Sequence, residues 1–344
     1  MNYRSISDMN QTILKNLHKV PEDVQVVVGI PRSGLLVALM LGLHRNLIVT
    51  DLDGLIARRA ISKGTVTLSD VRNSRDYLTT KRKILVIDDS YSTGSTLQKA
   101  RRSLEEAELP HEILYGVVYG GLKAKGNVDI VFERLLKPHI FEWNLSRNAI
   151  LPYSCVDMDG VLCRNPMPLE DDDSRRYMNF LENAEPLWRP DRKLGWIVTS
   201  RLEKYRTLTE NWLRDHNVEY KQLYMLDVES QHARRRVSVP GYKASVFRSV
   251  DADLFMESSF VEAIEIASLT KGNVLCFENS RLIQASRCEE LRSQLRKPAN
   301  LLRPLFLYAG YLFRKFPEEH IIVGPIKRSG RYFFRRLQQW QRQH

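Results

Sequence analysis

The order of apolar and amphipathic segments is the feature that most constrains how this chain can fold. Up to about residue 285, short apolar runs with strand-like composition alternate with stretches whose apolar residues fall on one helical face. This alternation is typical of parallel sheets covered by helices. The pattern pauses around residues 134–152, where prolines interrupt it. We therefore predict an α/β fold with two parallel-sheet domains, followed by a basic helical extension at the C-terminal end.

The predicted elements divide the sequence into three parts. We expect strands at 24–30, 46–50, 84–87, 113–118, 153–156, 195–199, 223–226, 253–256 and 273–277. The clearest predicted helices lie at 33–42, 95–106, 205–216 and 259–267. The three predicted parts are a first domain over residues 1–150, a second domain over 151–290 and an extension over 291–344.

The composition excludes several classes of protein. Of the 344 residues, 43% are hydrophobic and 27% are charged, which is typical of a globular chain and excludes disorder. No run approaches the roughly 20 apolar residues of a membrane-spanning helix, and the polar start is unlike a secretory signal. The four cysteines form no Cys-x-x-Cys pair, so we expect reduced thiols and a cytoplasmic location. They are Cys155, Cys163, Cys276 and Cys288.

The positive charge of the chain is concentrated at its C-terminal end. Residues 291–344 contain 12 basic and two acidic residues, so they account for +10 of the net charge of +11. Apolar and aromatic residues recur there at helical spacing among the arginines. Such helices suit a peripheral contact with an anionic membrane at its inner face, or packing against the rest of the chain, and both options stay open. No motif supports nucleic-acid binding, so no nucleic-acid partner is expected.

Two segments of the first domain have the composition of an anion-binding site. The first contains a predicted strand, a tight loop and a helix start, and its loop can bring backbone N–H groups close to a phosphate. The loop residues are Ile30, Pro31, Arg32 and Ser33. The Arg32 guanidinium could add a bidentate phosphate contact. A loop of this kind is common in α/β folds and does not by itself identify a ligand.

The second segment, residues 84–96, is more specific. A buried strand is predicted to end in Asp88 and Asp89, and a hydroxyl-rich loop then opens a helix. Adjacent carboxylates can accept hydrogen bonds from two vicinal hydroxyls, and the loop can surround a monophosphate. The loop residues are Ser92, Thr93, Gly94, Ser95 and Thr96. A sugar that carries a diol and a phosphate is the ligand that this pattern indicates.

Residues 84–96 match the signature of the type I phosphoribosyltransferases, which the chain resembles over about residues 20–135. The resemblance implies 5-phosphoribosyl-1-diphosphate (PRPP) as donor, with Asp88 and Asp89 on the ribose hydroxyls. It also implies that loop 92–96 holds the 5-phosphate and that loop 30–33 holds the diphosphate. A mobile loop would fall at 57–80, with basic residues at Arg58, Arg59, Lys63, Arg72 and Arg75. Members that act on purines usually have Asp where this chain has Ser92, so the acceptor stays open.

A second motif begins at Asp157, in the sequence Asp157-Met-Asp159-Gly after a short apolar run. One carboxylate at such a position can attack phosphorus while the other protonates the leaving oxygen. The pattern resembles the haloacid dehalogenase (HAD) superfamily of phosphatases, whose later motifs follow in order at Thr199, Lys243 and Glu257. The resemblance covers about residues 152–285. The insert at 163–192 is too short for a large cap, so an open active site is expected.

The resemblance assigns a role to each residue of the second site. Asp157 would be the nucleophile and a metal ligand, and Asp159 the general acid and base that lends its backbone carbonyl to the metal. Thr199 and Lys243 would hold the phosphoryl oxygens, and Glu257 would complete a Mg²⁺ site, with Asp253 as a weaker candidate because Ser258 follows Glu257 where the family usually has a second acid. Mg²⁺ is expected in both domains. A second Asp-x-Asp-Gly sequence at 51–54 lacks the later motifs, and we interpret it as a turn in the first domain.

Two catalytic domains in one chain suggest a shared substrate. The chain is similar to paired transferase–phosphatase enzymes that place ribofuranose in bacterial surface polysaccharides such as O-antigen or capsule. This implies transfer of 5-phosphoribose from PRPP to a glycan acceptor, in a β-ribofuranosyl linkage, followed by hydrolysis of the 5-phosphate. The basic extension would suit an acceptor that is linked to a lipid. The alternatives are a nucleobase phosphoribosyltransferase fused to a nucleotide or sugar phosphatase, and a PRPP-sensing regulator.

Overall fold

The computed structural model describes residues 1–59, 81–170 and 175–295, with side chains described up to residue 294. Contacts group Met1–Ala285 into one compact unit and Ser286–His344 into a second. The strands of the described residues are β1 (Asn2–Arg4), β2 (Val24–Gly29), β3 (Ile48–Asp51), β4 (Lys83–Tyr91), β5 (Glu112–Gly120), β6 (Ile130–Arg134), β7 (His139–Phe141), β8 (Ser154–Val156), β9 (Leu194–Leu202), β10 (Tyr220–Leu226), β11 (Leu254–Glu257), β12 (Asn273–Cys276) and β13 (Arg281–Ile283).

Ten α-helices lie in the same described ranges. They are α1 (Ile6–Lys15), α2 (Ser33–Arg45), α3 (Leu52–Ile56), α4 (Ser95–Glu106), α5 (Arg175–Asn183), α6 (Arg206–Asp215), α7 (Gln231–Arg234), α8 (Val239–Ser249), α9 (Phe260–Thr270) and α10 (Cys288–Leu295). Helix α10 belongs to the second unit, and the other nine belong to the first. None of the described helices is long and apolar enough to cross a membrane.

The first sheet contains five parallel strands in the order β3-β2-β4-β5-β6. Side chains of β4 alternate between its two faces, as a pleated strand requires. Leu85 and Ile87 pack in a core with α1 and α2, whereas Ile84 and Val86 pack in a core with α3 and α4. The sheet is therefore covered by helices on both faces, and the β4 sequence is apolar at every position from 84 to 87.

The second sheet has six strands in the order β10-β9-β8-β11-β12-β13, with only the β12–β13 pair antiparallel. Strand β8 lies at its centre, between β9 and β11. Leu194, Ile197 and Met256 of this sheet share a buried core with Phe180 and Trp212 from α5 and α6. The carboxyl ends of β8 and β11 therefore meet at one edge, where ligands of parallel sheets usually bind.

A small two-stranded sheet connects distant parts of the first unit. Strand β1 pairs in parallel with β7, which places Asn2 beside His139. A short 3₁₀ segment, Glu142–Arg147, follows β7. The Glu142 carboxylate accepts hydrogen bonds from the Ile6 N–H at 2.7 Å and from the Ser280 hydroxyl at 2.7 Å. The segment thus contacts helix α1, which covers the first sheet, and the turn between β12 and β13 of the second sheet.

The predicted α/β fold with parallel sheets is confirmed, and the main differences concern where strands end. Strand β4 was expected to end between Ile87 and Asp89 but continues to Tyr91, because β5 pairs with it as far as Gly120. Strand β9 likewise continues beyond Thr199 to Leu202. The predicted domain limits at residues 150 and 290 stay predictions. Residues 296–344, which hold most of the predicted basic extension, lie outside the described residues.

The second Asp-x-Asp-Gly sequence begins a short helix where we expected a turn. Asp51 is the N-cap of α3, and its Oδ1 accepts a hydrogen bond from the Gly54 N–H at 2.6 Å. A capping carboxylate satisfies one of the backbone donors that the first helical turn leaves unpaired. This contact explains the acid at position 51 without any catalytic role.

Candidate active sites

The loop that begins α2 is packed tightly against the middle of the first sheet. A Cβ atom added to Gly34 would lie 2.5 Å from the Ile87 carbonyl oxygen and 3.0 Å from the Asp88 Cα. A Cβ on Gly29 would lie 2.4 Å from the Leu35 Cα. The two glycines therefore let the start of α2 approach β4, which places loop 30–33 next to Asp88. The Pro31–Arg32 peptide bond in this loop is cis.

Asp88 and Asp89 lie within β4, with Asp89 buried and Asp88 half-buried. The Asp89 N–H donates to Asp88 Oδ1 at 2.8 Å, and the Trp143 indole Nε1–H donates to Asp89 Oδ2 at 2.6 Å. Burial, together with the neighbouring Asp89 carboxylate, raises the pKa of Asp88 to about 8. The structure brings the two predicted carboxylates together, and it adds Trp143, which the sequence analysis did not identify.

The hydroxyl-rich loop after β4 ends at the first residue of α4. Gly94 has φ +83° and precedes the helix as its N-cap, a conformation that favours glycine. The Thr93 and Ser95 hydroxyl oxygens lie 3.1 Å apart, and Lys137 Nζ donates to the Ser92 hydroxyl at 3.3 Å. All four hydroxyl side chains of the loop, including Thr96, are exposed. Exposed hydroxyls at a helix N-terminus can bind a phosphate.

Only the first residues of the predicted mobile loop are described. Arg58 has φ +56°, and the Arg59 carbonyl accepts a hydrogen bond from the Thr50 hydroxyl at 2.6 Å. Lys63, Arg72 and Arg75 lie outside the described residues.

A cavity of about 820 Å³ lies at the carboxyl edge of the second sheet. The Asp157 N–H donates to the Met256 carbonyl at 2.9 Å, and Asp157 Oδ1 accepts from the Met158 N–H at 2.8 Å. Asp157, Asp159, Lys243 and Glu257, which were predicted from widely separated motifs, all line this cavity. The predicted second site is therefore assembled in one place.

Lys243 of α8 binds three carboxylates at once. Its Nζ lies 2.9 Å from Asp157 Oδ2, 2.8 Å from Glu257 Oε2 and 2.9 Å from Glu262 Oε2, and its side chain is 3% exposed. Burial opposes the charge on Lys243, but the three carboxylates outweigh it and raise the pKa of the ammonium. Burial and the Glu257 charge raise the pKa of Asp157 well above its usual range, against the opposing effect of Lys243. Three acids around one ammonium leave an excess of negative charge.

Asp159 is held by a buried arginine that the sequence analysis missed. Arg201 Nη2 lies 2.6 Å from Asp159 Oδ1, and Arg201 Nε lies 3.1 Å from Asp159 Oδ2. The Arg201 side chain is fully buried, and its Nη2 also lies 3.2 Å from Cys163 Sγ. Burial opposes the guanidinium charge, but Asp159 outweighs it and raises the pKa of Arg201. An arginine two positions after the predicted threonine was the signal available in the sequence.

Thr199 is buried, and its hydroxyl accepts a hydrogen bond from the Arg201 N–H at 3.2 Å. The next residue, Ser200, lines the cavity. The phosphoryl contact that we assigned to Thr199 stays a prediction, and Ser200 is a second hydroxyl available for it. Glu262 is a further lining residue that sequence reasoning did not single out.

The donor groups of the second site fit Mg²⁺ in their chemistry. Mg²⁺ prefers oxygen ligands and commonly takes one or two carboxylates, with water and phosphate oxygens completing its shell. The Asp157 and Glu257 carboxylates and the Asp159 carbonyl would supply such oxygens, and the excess negative charge favours a cation. Within the described ranges, no group of three His, Cys, Asp or Glu side chains is arranged to hold a metal. The proposed ion would therefore depend on the backbone carbonyl and on the substrate.

Comparisons with known proteins find structural similarity only. No family model and no curated protein matches the sequence. Xanthine-guanine-hypoxanthine phosphoribosyltransferase of Helicobacter pylori is 16% identical, with 42% of this chain and 92% of that chain covered and a TM-score of 0.31. A purine phosphoribosyltransferase of Pyrococcus horikoshii is 20% identical, with 41% and 92% covered and a TM-score of 0.29. Orotate phosphoribosyltransferase of Aeropyrum pernix is 21% identical, with 38% and 71% covered and a TM-score of 0.26.

Proposed function

We propose that the chain is a bifunctional enzyme of bacterial surface polysaccharide synthesis. It transfers 5-phosphoribose from PRPP to a glycan acceptor and then hydrolyses the 5-phosphate. The observation that supports this proposal is that one compact unit contains both the Asp88–Asp89 pair and the carboxylates around Lys243. The Asp88–Asp89 pair with its hydroxyl loop suits a phosphorylated ribose, and the Asp157–Lys243 site suits removal of the phosphate that such a ribose carries.

In the first reaction, an acceptor hydroxyl displaces the diphosphate of PRPP. Asp88 and Asp89 accept hydrogen bonds from the two ribose hydroxyls, loop 92–96 binds the 5-phosphate and loop 30–33 binds the diphosphate. The bond from ribose C1 to the diphosphate breaks as the bond to the acceptor oxygen forms, and the proton of the acceptor hydroxyl passes to the departing diphosphate or to water. In-line displacement of an α-diphosphate gives a β-ribofuranosyl linkage. Mg²⁺ would add charge compensation for the departing diphosphate.

In the second reaction, an Asp157 carboxylate oxygen attacks phosphorus and the bond from phosphorus to the ribose oxygen breaks. Asp159 gives a proton to that oxygen, then takes a proton from the water that hydrolyses the aspartyl phosphate. Lys243 offsets the charge on the phosphoryl oxygens. Mg²⁺, held by Asp157, Glu257 and the Asp159 carbonyl, would supply further charge compensation. Loss of inorganic phosphate makes the two-step sequence irreversible.

The 3₁₀ segment Glu142–Arg147 supports a shared substrate. Trp143 contacts Asp89 of the first site, and the adjacent Glu142 contacts Ser280. Ser280 follows Phe277 and Glu278, which line the second cavity. Neighbouring residues of one segment therefore contact Asp89 of the first site and the turn that borders the second.

The decisive experiment separates the two reactions. Purified Asp157→Asn protein with PRPP, Mg²⁺ and a synthetic glycan acceptor is expected to accumulate a product that is one phosphate heavier than the final one. A double variant, Asp88→Ala with Asp89→Ala, is expected to form no product from PRPP. Mixing the two variants should restore phosphate-free product, because each retains the site that the other lacks. The readout is the mass of the glycan.

Other outcomes would contradict the proposal. Transfer by the double variant would remove the PRPP assignment, and phosphate-free product from Asp157→Asn alone would remove the phosphatase assignment. If PRPP is consumed with a nucleobase but not with any glycan, the chain is a nucleotide-forming enzyme. Binding of PRPP with no turnover of either kind would indicate a sensor.

A further inference from the structure

We propose that the cavity of the second site contains a sugar-binding subsite formed by Trp188 and Phe277. This subsite would take the acceptor sugar to which the phosphoribosyl group is attached. The inference rests on the proposed function and deepens it, because it states which part of the substrate the phosphatase recognises besides the phosphate.

The cavity has a charged part and an apolar part. Asp157, Lys243 and Glu257 line the charged part, where the phosphate would bind. Trp188 and Phe277 also line the cavity, and their ring centroids lie 5.6 Å apart at an angle of 69°. Ligand cavities commonly measure about 300–1,000 Å³, and a phosphoryl group alone would leave most of these 820 Å³ empty. The remaining space therefore has room for the ribose and for a further group attached to it.

Backbone hydrogen bonds attach the segment before Trp188 to the loop that follows the nucleophile. The Leu187 N–H donates to the Leu162 carbonyl at 2.9 Å, and the Arg164 N–H donates to the Glu185 carbonyl at 2.9 Å. These two hydrogen bonds hold the segment before Trp188 beside residues 162–164, which follow the Asp157-x-Asp159 motif directly. A rigid aromatic group loses little conformational entropy when a ligand binds to it.

Phe277 is attached to the other half of the site. Its N–H donates to the Glu257 carbonyl at 2.8 Å. The two rings are therefore connected to the two strand ends that supply Asp157 and Glu257. This arrangement sets the distance between the phosphate position and the aromatic surface, so it favours substrates of one length.

The polar groups near the rings suit a sugar. Asn165 and Glu278 also line the cavity, and the Glu278 carboxylate is held by the Phe260 N–H at 3.0 Å. Amide and carboxylate groups accept hydrogen bonds from hydroxyls, while an aromatic face packs against the C–H face of a sugar ring. The rings are tilted at 69°, so they offer one surface and no parallel slot. A flat nucleobase would gain most from a parallel slot, which favours a sugar over a base.

The test compares three phosphate esters. Methyl 5-phospho-β-ribofuranoside contains no acceptor sugar, and a 5-phospho-β-ribofuranosyl galactoside, used as a representative hexoside, adds one sugar ring. Uridine 5′-monophosphate replaces that ring by a base. Phosphate release by the full chain, Trp188→Ala, Trp188→Tyr and the control Tyr153→Ala would be measured. Tyr153 is an exposed aromatic at the opposite end of β8, 56% exposed.

We expect the full chain to prefer the galactoside over the methyl riboside at least tenfold in kcat/KM. Trp188→Ala should remove most of this preference through a higher KM, Trp188→Tyr should retain it within about threefold, and Tyr153→Ala should leave it unchanged. Calorimetry of the phosphate-free galactoside with Asp157→Asn, with and without Trp188→Ala, should show the same loss in binding.

Three outcomes would overturn the inference. The first is an equal reduction by Trp188→Ala in the hydrolysis of both ribosides, which would assign Trp188 a structural role. The second is a full chain with no preference for the galactoside, and the third is a Trp188-dependent preference for uridine 5′-monophosphate. Failure of the phosphatase part of the proposed function is distinguishable, because the full chain would then hydrolyse none of the three esters, and failure of the transfer part is read from the PRPP experiment above.

Discussion

At the scale of single residues, the first site depends on two adjacent acids that share a partly buried position. The Asp89 carboxylate accepts from Trp143, whereas Asp88 Oδ1 accepts from the Asp89 N–H. Adjacent carboxylates that both ionise repel each other, which is one reason why the pKa of Asp88 is raised to about 8. The two ionised carboxylates therefore repel each other in the free protein. Hydrogen bonds from sugar hydroxyls, or a bound cation, would reduce this repulsion.

This raised pKa predicts a pH-dependent stability. When the pKa of a carboxyl group is higher in the folded state, the group stabilises the fold at pH values below its unfolded-state pKa. This stabilising contribution is lost as the pH rises through the folded-state pKa of about 8. Asp88→Asn should therefore melt at a higher temperature than the unchanged chain at pH 9, and the difference should shrink toward pH 5. Each pKa unit corresponds to about 1.4 kcal/mol. Thermal unfolding at both pH values measures this, and a constant difference would contradict it.

In the second site, Arg201 is the single residue whose replacement we expect to affect stability most clearly. Its guanidinium is fully buried and bound to both oxygens of Asp159. Removing one partner of a buried ion pair typically costs about 3–5 kcal/mol, because the other charge is left unpaired.

We expect Arg201→Met to lower the melting temperature and to reduce phosphate release. Asp159→Asn combined with Arg201→Met should lose less stability than the two single changes added together, since the second change removes the unpaired charge. Unfolding of the three variants measures this coupling. Strictly additive losses would show that the two side chains do not depend on each other.

At the scale of secondary structure, the 3₁₀ segment Glu142–Arg147 contacts both β4 of the first sheet and the β12–β13 turn of the second. Phe141 and Trp143 are stacked at 4.8 Å with an interplanar angle of 8°, which fixes the indole against the first site. The Nε1–H of Trp143 then reaches Asp89.

Trp143→Phe tests this hydrogen bond while it preserves an aromatic ring in the stack. A hydrogen bond to a charged group contributes about 1.5–3 kcal/mol, so transfer from PRPP should fall roughly tenfold or more. Hydrolysis of added phosphoribosyl glycan should stay within twofold, which serves as the internal control. Unchanged transfer would show that Trp143 does not position Asp89.

The sequence predicted the parallel strands well, because runs such as 84–87 are apolar throughout and lie between charged residues. It predicted the ends of β4 and β9 poorly. Those strands continue through Asp88–Tyr91 and Ser200–Leu202, where polar residues follow the apolar run, and pairing with neighbouring strands decides the boundary. The motifs identified the acids and Lys243. They could not identify Trp143, which reaches its partner only through the fold.

At the scale of the whole molecule, most of the net positive charge lies in a different part of the chain from the candidate catalytic residues. Both groups of candidate catalytic residues lie within Met1–Ala285, whereas residues 291–344 carry +10 of the net charge. The extension lies mostly outside the described residues, so its role follows from its composition alone.

A chain that ends before Lys297 should keep both activities on a soluble synthetic acceptor and lose binding to anionic vesicles. Each basic residue near an anionic surface contributes about 1 kcal/mol, and this attraction is screened by salt. Co-sedimentation of the full chain with phosphatidylserine vesicles at low and high salt measures it. An inactive truncated chain, together with a full chain that leaves the vesicles unbound, would instead indicate structural packing.

The pairing of β1 with β7 also has a consequence for how the protein is made. Asn2 pairs with His139, which the ribosome adds 137 residues later. At about 5–20 residues per second, the interval is on the order of ten seconds. During that time β2 to β6 are synthesised, whereas β1 still lacks β7. Strand β1 precedes β2 to β6 in the sequence, but it can therefore join its sheet only after all of them have been synthesised.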